Sequence, residues 1–424
     1  MSGLLEQVAR LGQADAAEGG LLQLDERKLP LSHAAVRTLA GTAAASGPDE
    51  SADEAASALW DFVRFYFLDQ GALKKDVDYA ALLLPPPLAT RRLRPESLSF
   101  LITKQCNLKC LHCYNDSGAR EEGELISSER ASVARYLGRW GVPLVTLTGG
   151  EPFLSHDSIA VLRILAEFGT SLRVSTNGWH LPEEALDMVR TGALAQMNVS
   201  VDGAEAKSHD EYRRVPGSFE RVVRSLARLQ AARIRLLNLN VAVYDRNLGE
   251  LDAICQLALR YGARAISFKA VTASGRDDPP PETFLTRAGI DEFRRARDVL
   301  HARYGRDLMM SAPIVSAAIS EDEGDNVGCG GGSKAMFIGS NGDILPCELI
   351  KPFIDVPNVR KMPPLVAWCQ SAGFEQFRGF VDEGRDRRKD GWTGCPATNF
   401  ERNKPKRDLV SIRAFRPSPQ GATT

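Results

Sequence analysis

From residue 98 to about 305, short apolar runs alternate with amphipathic stretches. The apolar runs SLSFLIT, LVTLTGG, SLRVSTN, MNVSVDG, RLLNLNVAVYD and AISFKAV read as strands. Helices are expected at 127–139, 157–168, 183–191, 218–232, 248–261 and 289–303. In LGELDAICQLALRYG, for example, Leu248, Leu251, Ile254, Cys255 and Ala258 fall on one stripe. Six βα units of this kind imply a parallel sheet covered by helices, either a partial barrel or a doubly wound sheet. In both architectures ligands bind beyond the C-terminal ends of the strands, which is where the polar motifs of this segment lie.

The flanking segments follow other patterns. Residues 1–81 read as a small helical unit: a short extended piece, a helix capped at Ser32, a polar loop and a longer helix. That longer helix carries Ala56, Leu59, Phe62, Val63 and Phe67 and stops at Gly71. Residues 82–97, with Pro85, Pro86, Pro87 and Pro95, form an extended linker. In 306–405, KAMFIG and DILPC flank Ser340-Asn341-Gly342, a hairpin signal. A Trp-containing helix follows, and residues 406–424 are a basic, solvated tail.

Composition narrows the field. Lys+Arg number 53 against 54 Asp+Glu, so the chain lacks the positive field that would bind nucleic acid. No apolar run is long enough to span a membrane, and the N-terminus lacks a secretory pattern, so a cytoplasmic location is expected. In that reducing compartment the 8 cysteines are metal ligands, core residues or catalytic groups before they are disulfides.

Cys106, Cys110 and Cys113 share the loop that leaves the first strand of this segment, in ITKQCNLKCLHCY. Three thiolates there can hold three corners of a cubane iron–sulfur cluster and leave one iron open. A structural zinc would need a fourth ligand, and His112 stands awkwardly between two of the cysteines. His156, His180, His209 and His301 are read as structural, and Cys255 as core.

CxxxCxxC followed by an aromatic, here Tyr114, is the signature of radical S-adenosylmethionine (SAM) enzymes, and the sequence resembles that superfamily along most of its length. LTGGEPFL resembles its GGE motif, with Gly149, Gly150, Glu151 and Pro152 implied around the SAM amino group. STNG offers Ser175 and Asn177 as nucleoside contacts, and VSVDG offers Ser200 and Asp202 near the ribose. Arg213 would approach the SAM carboxylate, and Ala273-Ser274-Gly275 resembles a further family turn. The resemblance implies a partial (β/α)6 barrel, a [4Fe-4S] cluster with SAM, and release of a 5′-deoxyadenosyl radical that removes hydrogen from a C–H bond. A flavodoxin- or ferredoxin-type protein would supply the electron.

Cys329, Cys347 and Cys395 resemble ligands of the twitch or SPASM extensions, which hold an auxiliary iron–sulfur cluster. Thr398 stands where a further cysteine would fall, which favours a single cluster; Cys369 reads as core before ligand. Residues 1–81 resemble in pattern the winged-helix-like unit by which peptide-modifying enzymes hold a leader peptide. Their 7 Lys+Arg against 13 Asp+Glu, a balance of 7 − 13 = −6, argue against DNA. A plain packing appendage is the alternative. The implied activity is modification of a ribosomally made precursor peptide, by crosslinking to carbon or sulfur or by epimerisation. A small-molecule substrate, such as a carbohydrate alcohol or haem precursor, is the runner-up, and an iron–sulfur electron-transfer or sensor protein is the non-catalytic alternative.

Overall fold

The computed structural model describes residues 20–24, 27–31, 94–270, 285–312, 329–350 and 356–386. Cys395, Thr398, the Ala273–Gly275 turn, the helices expected in 1–81 and the basic tail lie outside the described residues. Two strands, β1 (Gly20–Leu24) and β2 (Arg27–Leu31), form an antiparallel hairpin where one extended piece was expected.

The main sheet has 9 strands in the order β11-β10-β3-β4-β5-β6-β7-β8-β9. Its centre is β3 (Ser97–Leu101), β4 (Leu144–Thr148), β5 (Ser171–Thr176), β6 (Gln196–Ser200), β7 (Leu236–Val243) and β8 (Ala265–Ala270), all parallel. These are the strand candidates of the sequence, in sequence order, as a βα repeat demands. The intervening helices are α1 (Ser127–Trp140), α2 (Ser158–Glu167), α3 (Glu183–Arg190), α4 (Ala206–Arg213), α5 (Ser218–Ala231), α6 (Leu251–Arg260) and α7 (Arg287–Tyr304). In α5, Val222, Ser225, Leu226 and Leu229 recur at helical spacing and are buried, which fixes that face against the sheet. Helix α4 was not expected from periodicity, because its buried residues, His209, Tyr212 and Arg213, are polar or amphipathic and span little more than one turn.

Strands from the C-terminal segment close both edges. β9 (Met309–Ser311) pairs parallel to β8, and β10 (Ala335–Ile338) pairs parallel to β3. β11 (Ile344–Leu345) returns antiparallel on β10 around the Ser340-Asn341-Gly342 turn, as the hairpin signal predicts. Helices α8 (Pro364–Gln370) and α9 (Ala372–Asp386) follow. Cys369 is buried in the main core beside Trp368 and Phe374, and Cys255 is wholly enclosed, as its core reading expects.

The two faces of the central strands differ. Phe100, Leu147, Val174, Val199, Leu239, Val241 and Phe268 are fully buried under the helices. Each such side chain contributes roughly 1.5–3 kcal/mol by leaving water. The alternating positions, Arg173, Ser175, Gln196, Asn198, Asn238, Asn240, Ser267 and Lys269, point the other way and remain accessible to water. Barrel interiors filled with branched aliphatic side chains are packed cores. This one is a chamber lined by polar side chains.

Candidate functional site

The loop after β3 is fastened to its neighbours at several points. Cys106 N donates to Gly118 O at 2.9 Å, Lys109 N to Arg213 O at 3.3 Å and Leu111 N to Tyr212 O at 3.2 Å. The GG pair after β4 packs on the same loop. Gly150 N donates to Thr103 O at 2.7 Å and Glu151 N to Gln105 O at 2.8 Å. A Cβ on Gly149 would lie 2.3 Å from Thr103 O, and one on Gly150 2.2 Å from Gln105 O. The glycines therefore admit the backbone of the cysteine loop, where the sequence pointed to a ligand.

The three thiols fit an iron–sulfur cluster by their chemistry and their surroundings. Leu108 N donates to Cys106 Sγ at 3.4 Å and Ser117 N to Cys113 Sγ at 3.3 Å. Such N–H···S contacts are the levers by which proteins tune cluster potential. Burial pushes the Cys110 thiol up to about 12, with Arg213 pulling the other way. A bound metal deprotonates such a thiol outright. Among the described residues no three Cys, His, Asp or Glu side chains gather as the shell of one ion; a cubane asks instead for one thiolate per iron. His112 is engaged elsewhere. Its ring stacks on Tyr212 at 4.6 Å and its Nε2 lies 3.7 Å from Asp202 Oδ2.

Glu151 is 1% exposed and receives hydrogen bonds from Thr176 Oγ1 at 2.8 Å, Asn177 N at 2.7 Å and Phe153 N at 3.2 Å. Burial nevertheless outweighs these donors and raises its carboxyl to about 7. A buried carboxylate of this kind gains from an ammonium partner. Asn177 sends Nδ2 to Asn107 Oδ1 at 3.0 Å and lies 3.9 Å from Cys106 Sγ. Asn107 Nδ2 is buried with no partner among the described residues, a spare donor beside the thiols and Glu151 that suits an added ligand. Ser175 receives Asn198 Nδ2 at 3.2 Å, and Ser200 lies half-buried on the same inner wall.

Two of the residues implied for the cofactor have further partners. Asp202 is fully buried, with Oδ2 taking Arg213 Nε at 2.6 Å and Oδ1 taking Ala242 N at 2.8 Å. Burial works against its charge, but Arg213, His112 and His209 hold its carboxyl below the usual range. Asp202 thus positions Arg213. His209 supports this arrangement as a structural residue: burial lowers it to about 4, and its Nδ1 accepts Asp202 N at 3.3 Å. Arg213 itself is buried, and the charges of Cys110 and Cys106 act on it. Tyr114, assigned to the cofactor, hydrogen-bonds Glu348 in the C-terminal segment.

The sequence reading missed the frame around this loop. Glu124 accepts from Lys104 N at 2.8 Å, Thr103 Oγ1 at 3.1 Å, Arg120 Nε at 3.1 Å and Arg130 Nη2 at 3.2 Å. Arg360 then ties the C-terminal segment to the same region, pairing with Glu129 at 2.6 and 2.8 Å and donating to Gly123 O and Asn341 O at 3.1 Å. No spacing rule announces such long-range partners. Cys329 and Cys347, far apart in sequence, both pack on one apolar cluster of Ile350, Phe377 and Val381.

Comparison with known proteins agrees with this geometry. The family model of the radical SAM superfamily matches residues 100–258, and that of the SPASM iron–sulfur cluster-binding domain matches 329–396. An AdoMet-dependent heme synthase of Methanosarcina barkeri is 28% identical over 301 residues, 67% of this chain and 85% of the relative. The mycofactocin maturase MftC of Mycobacterium ulcerans is 33% identical over 257 residues, 60% of this chain and 68% of the relative. SuiB of Streptococcus suis, in a crystal structure with its precursor peptide SuiA, shares the fold with TM-score 0.56 and 14% identity, covering 85% of this chain and 88% of that one. The protein is accordingly an enzyme that uses a [4Fe-4S] cluster and SAM, with an auxiliary iron–sulfur cluster in its C-terminal segment. No helix among the described residues is long and apolar enough to cross a membrane. The chain belongs to the radical SAM superfamily and carries a SPASM domain.

Proposed function

We propose that this enzyme modifies a ribosomally made peptide, forming a crosslink or an epimerised centre. Cys106, Cys110 and Cys113 hold the SAM-binding cluster in this reading, and Cys329, Cys347 and Cys395 hold the auxiliary one. When bound, the reduced cluster and SAM supply a carbon-centred radical that takes hydrogen from an unactivated C–H bond. Glu151 holds the ammonium of SAM and Arg213 its carboxylate, with Asp202 fixing the guanidinium. Asn177, Ser175 and Ser200 face the nucleoside. A flavodoxin- or ferredoxin-type donor supplies the electron.

The observation that carries the peptide reading is the hairpin β1–β2 ahead of the barrel. A two-stranded sheet offers an edge to which an extended leader adds as a further strand. The maturase relative and the peptide-bound neighbour support it. The longer alignment with heme synthases favours a second reading, a tetrapyrrole substrate. The deciding experiment co-expresses the enzyme with short open reading frames adjacent to its gene and weighs the products. Loss of two hydrogens marks a crosslink, and deuterium uptake at constant composition marks an epimer. Turnover of a haem precursor, with every neighbouring peptide unchanged, would replace the peptide reading by the tetrapyrrole one.

A further inference from the structure

The polar inner wall has a charge pattern that the cofactor does not explain. Arg173 on β5 is half-buried and hydrogen-bonded only to an uncharged group, Gln196 Oε1, at 3.1 Å from Nε and 2.8 Å from Nη2. Among the described residues it has no carboxylate partner. Lys269 on β8 faces the same chamber, close enough to feel Arg173 as a repelling charge and Glu348 as an attracting one. Partial burial depresses the Arg173 guanidinium, while Lys269 is the more exposed of the two. Among the described residues, two cations thus share the wall with one carboxylate, that of Glu348. The remaining side chains of that wall, Asn198, Asn238, Asn240 and Ser267, are neutral and bonded to one another across the strands. Such a wall orients a polar ligand but, among the described residues, leaves one positive charge uncompensated. The order of the strands puts this wall under the cluster loop, where a substrate must sit to be reached.

We propose that the inner wall of the barrel is a receptor for a substrate carboxylate, clamped between Arg173 and Lys269. The inference rests on the reading that the chamber holds the substrate, but it does not require that substrate to be a peptide. The carboxylate class covers a peptide side chain, a chain terminus and a small acid alike. An anion lying between the two cations relieves their mutual repulsion, and Arg173 keeps a free Nη1 edge for it.

The test uses the full chain with both clusters reconstituted and reduced, S-adenosylhomocysteine in place of SAM so that no cleavage occurs, and glutarate against glutaramide as probes. The paramagnetic cluster broadens the proton resonances of a molecule held in the chamber. Glutarate methylene lines should broaden much more than those of glutaramide, and the Arg173→Gln, Lys269→Gln double variant should weaken glutarate binding about tenfold. Arg224→Gln, an exposed change on the outer helix α5, should leave the broadening as it was. Iron content and SAM cleavage report whether the double variant is folded, and Arg173→Lys should retain most of the binding. Equal broadening by both probes, or undiminished broadening in a folded double variant, overturns the receptor. Acetyl-Gly-Glu-amide and acetyl-Gly-Gln with a free carboxylate then compete with glutarate. Displacement by the first assigns a side-chain carboxylate, and by the second a chain terminus. Displacement by neither, with glutarate still bound, keeps the receptor and removes the peptide from it.

Discussion

The two cysteine regions reach their purpose by opposite routes. Cys106, Cys110 and Cys113 lie within one loop, and their positions are set by backbone bonds to Gly118, Tyr212 and Arg213 and by the carboxylate of Glu124. Cys329 and Cys347 come from separate segments and meet over a patch that, among the described residues, has three fully buried side chains. The first site is organised by the barrel before any metal arrives. The second depends much more on the metal to hold its parts together, since binding energy there is folding energy. Tyr114 and Glu348, each next to a cysteine, join the two regions by a hydrogen bond.

Replacing cysteines breaks the comparison most severely. Cys106→Ala or Cys113→Ala should abolish SAM cleavage while leaving circular dichroism and the unfolding midpoint nearly unchanged, because the frame does not rest on the thiols. A Cys329→Ala, Cys347→Ala double variant should behave the other way. Its iron content should fall from about eight to about four atoms per chain, by four-iron stoichiometry. SAM cleavage should survive, product formation should stop, and limited proteolysis should open the C-terminal segment. Cleavage lost along with the second cluster would show that the two sites are not separable.

Glu151→Gln comes next, with SAM affinity reduced about tenfold and the cluster spectrum unaltered. The same residue sets a pH dependence. Burial lifts its carboxyl from 4.5 to about 7, so in the cofactor-free protein the stability tied to its neutral form is full at low pH and lost as pH rises through about 7. SAM affinity runs in the opposite direction, rising over that window as the carboxylate forms. Titration calorimetry across it should give a slope in the parent enzyme and a flat line in Glu151→Gln. The smallest effect belongs to Arg360→Ala, which loosens the tie to Glu129. Product formation should drop a few-fold while SAM cleavage stays within about twofold, since a partly exposed pair contributes little to stability.

Much of the molecule was legible in the sequence, for physical reasons. The six central strands and six of the seven helices packed among and after them announce themselves by apolar periodicity, and the cysteine loop by spacing. The partners of Asp202 and Tyr114 were not foreseen, because a motif fixes which residues gather but not which way each side chain turns. Glu124 and Arg360 were missed because their partners lie on other elements. The polar chamber did leave a trace. A parallel strand buried on both faces is expected to be continuously apolar, yet QMNVS, NLNVAV and SFK alternate. Alternation within such a strand marks a wall that meets water.

The edge strands have a consequence for how this protein can be divided. Both neighbours that seal the central sheet, β9 and β10, are encoded after the last helix of the barrel. A chain ended at Tyr304 would lack them, and β3, the strand that launches the cysteine loop, would present bare amides and carbonyls to any passing strand. The catalytic barrel is therefore not a detachable unit to which an accessory module was added. What looks in one dimension like an appendix is, in the folded sheet, part of the wall.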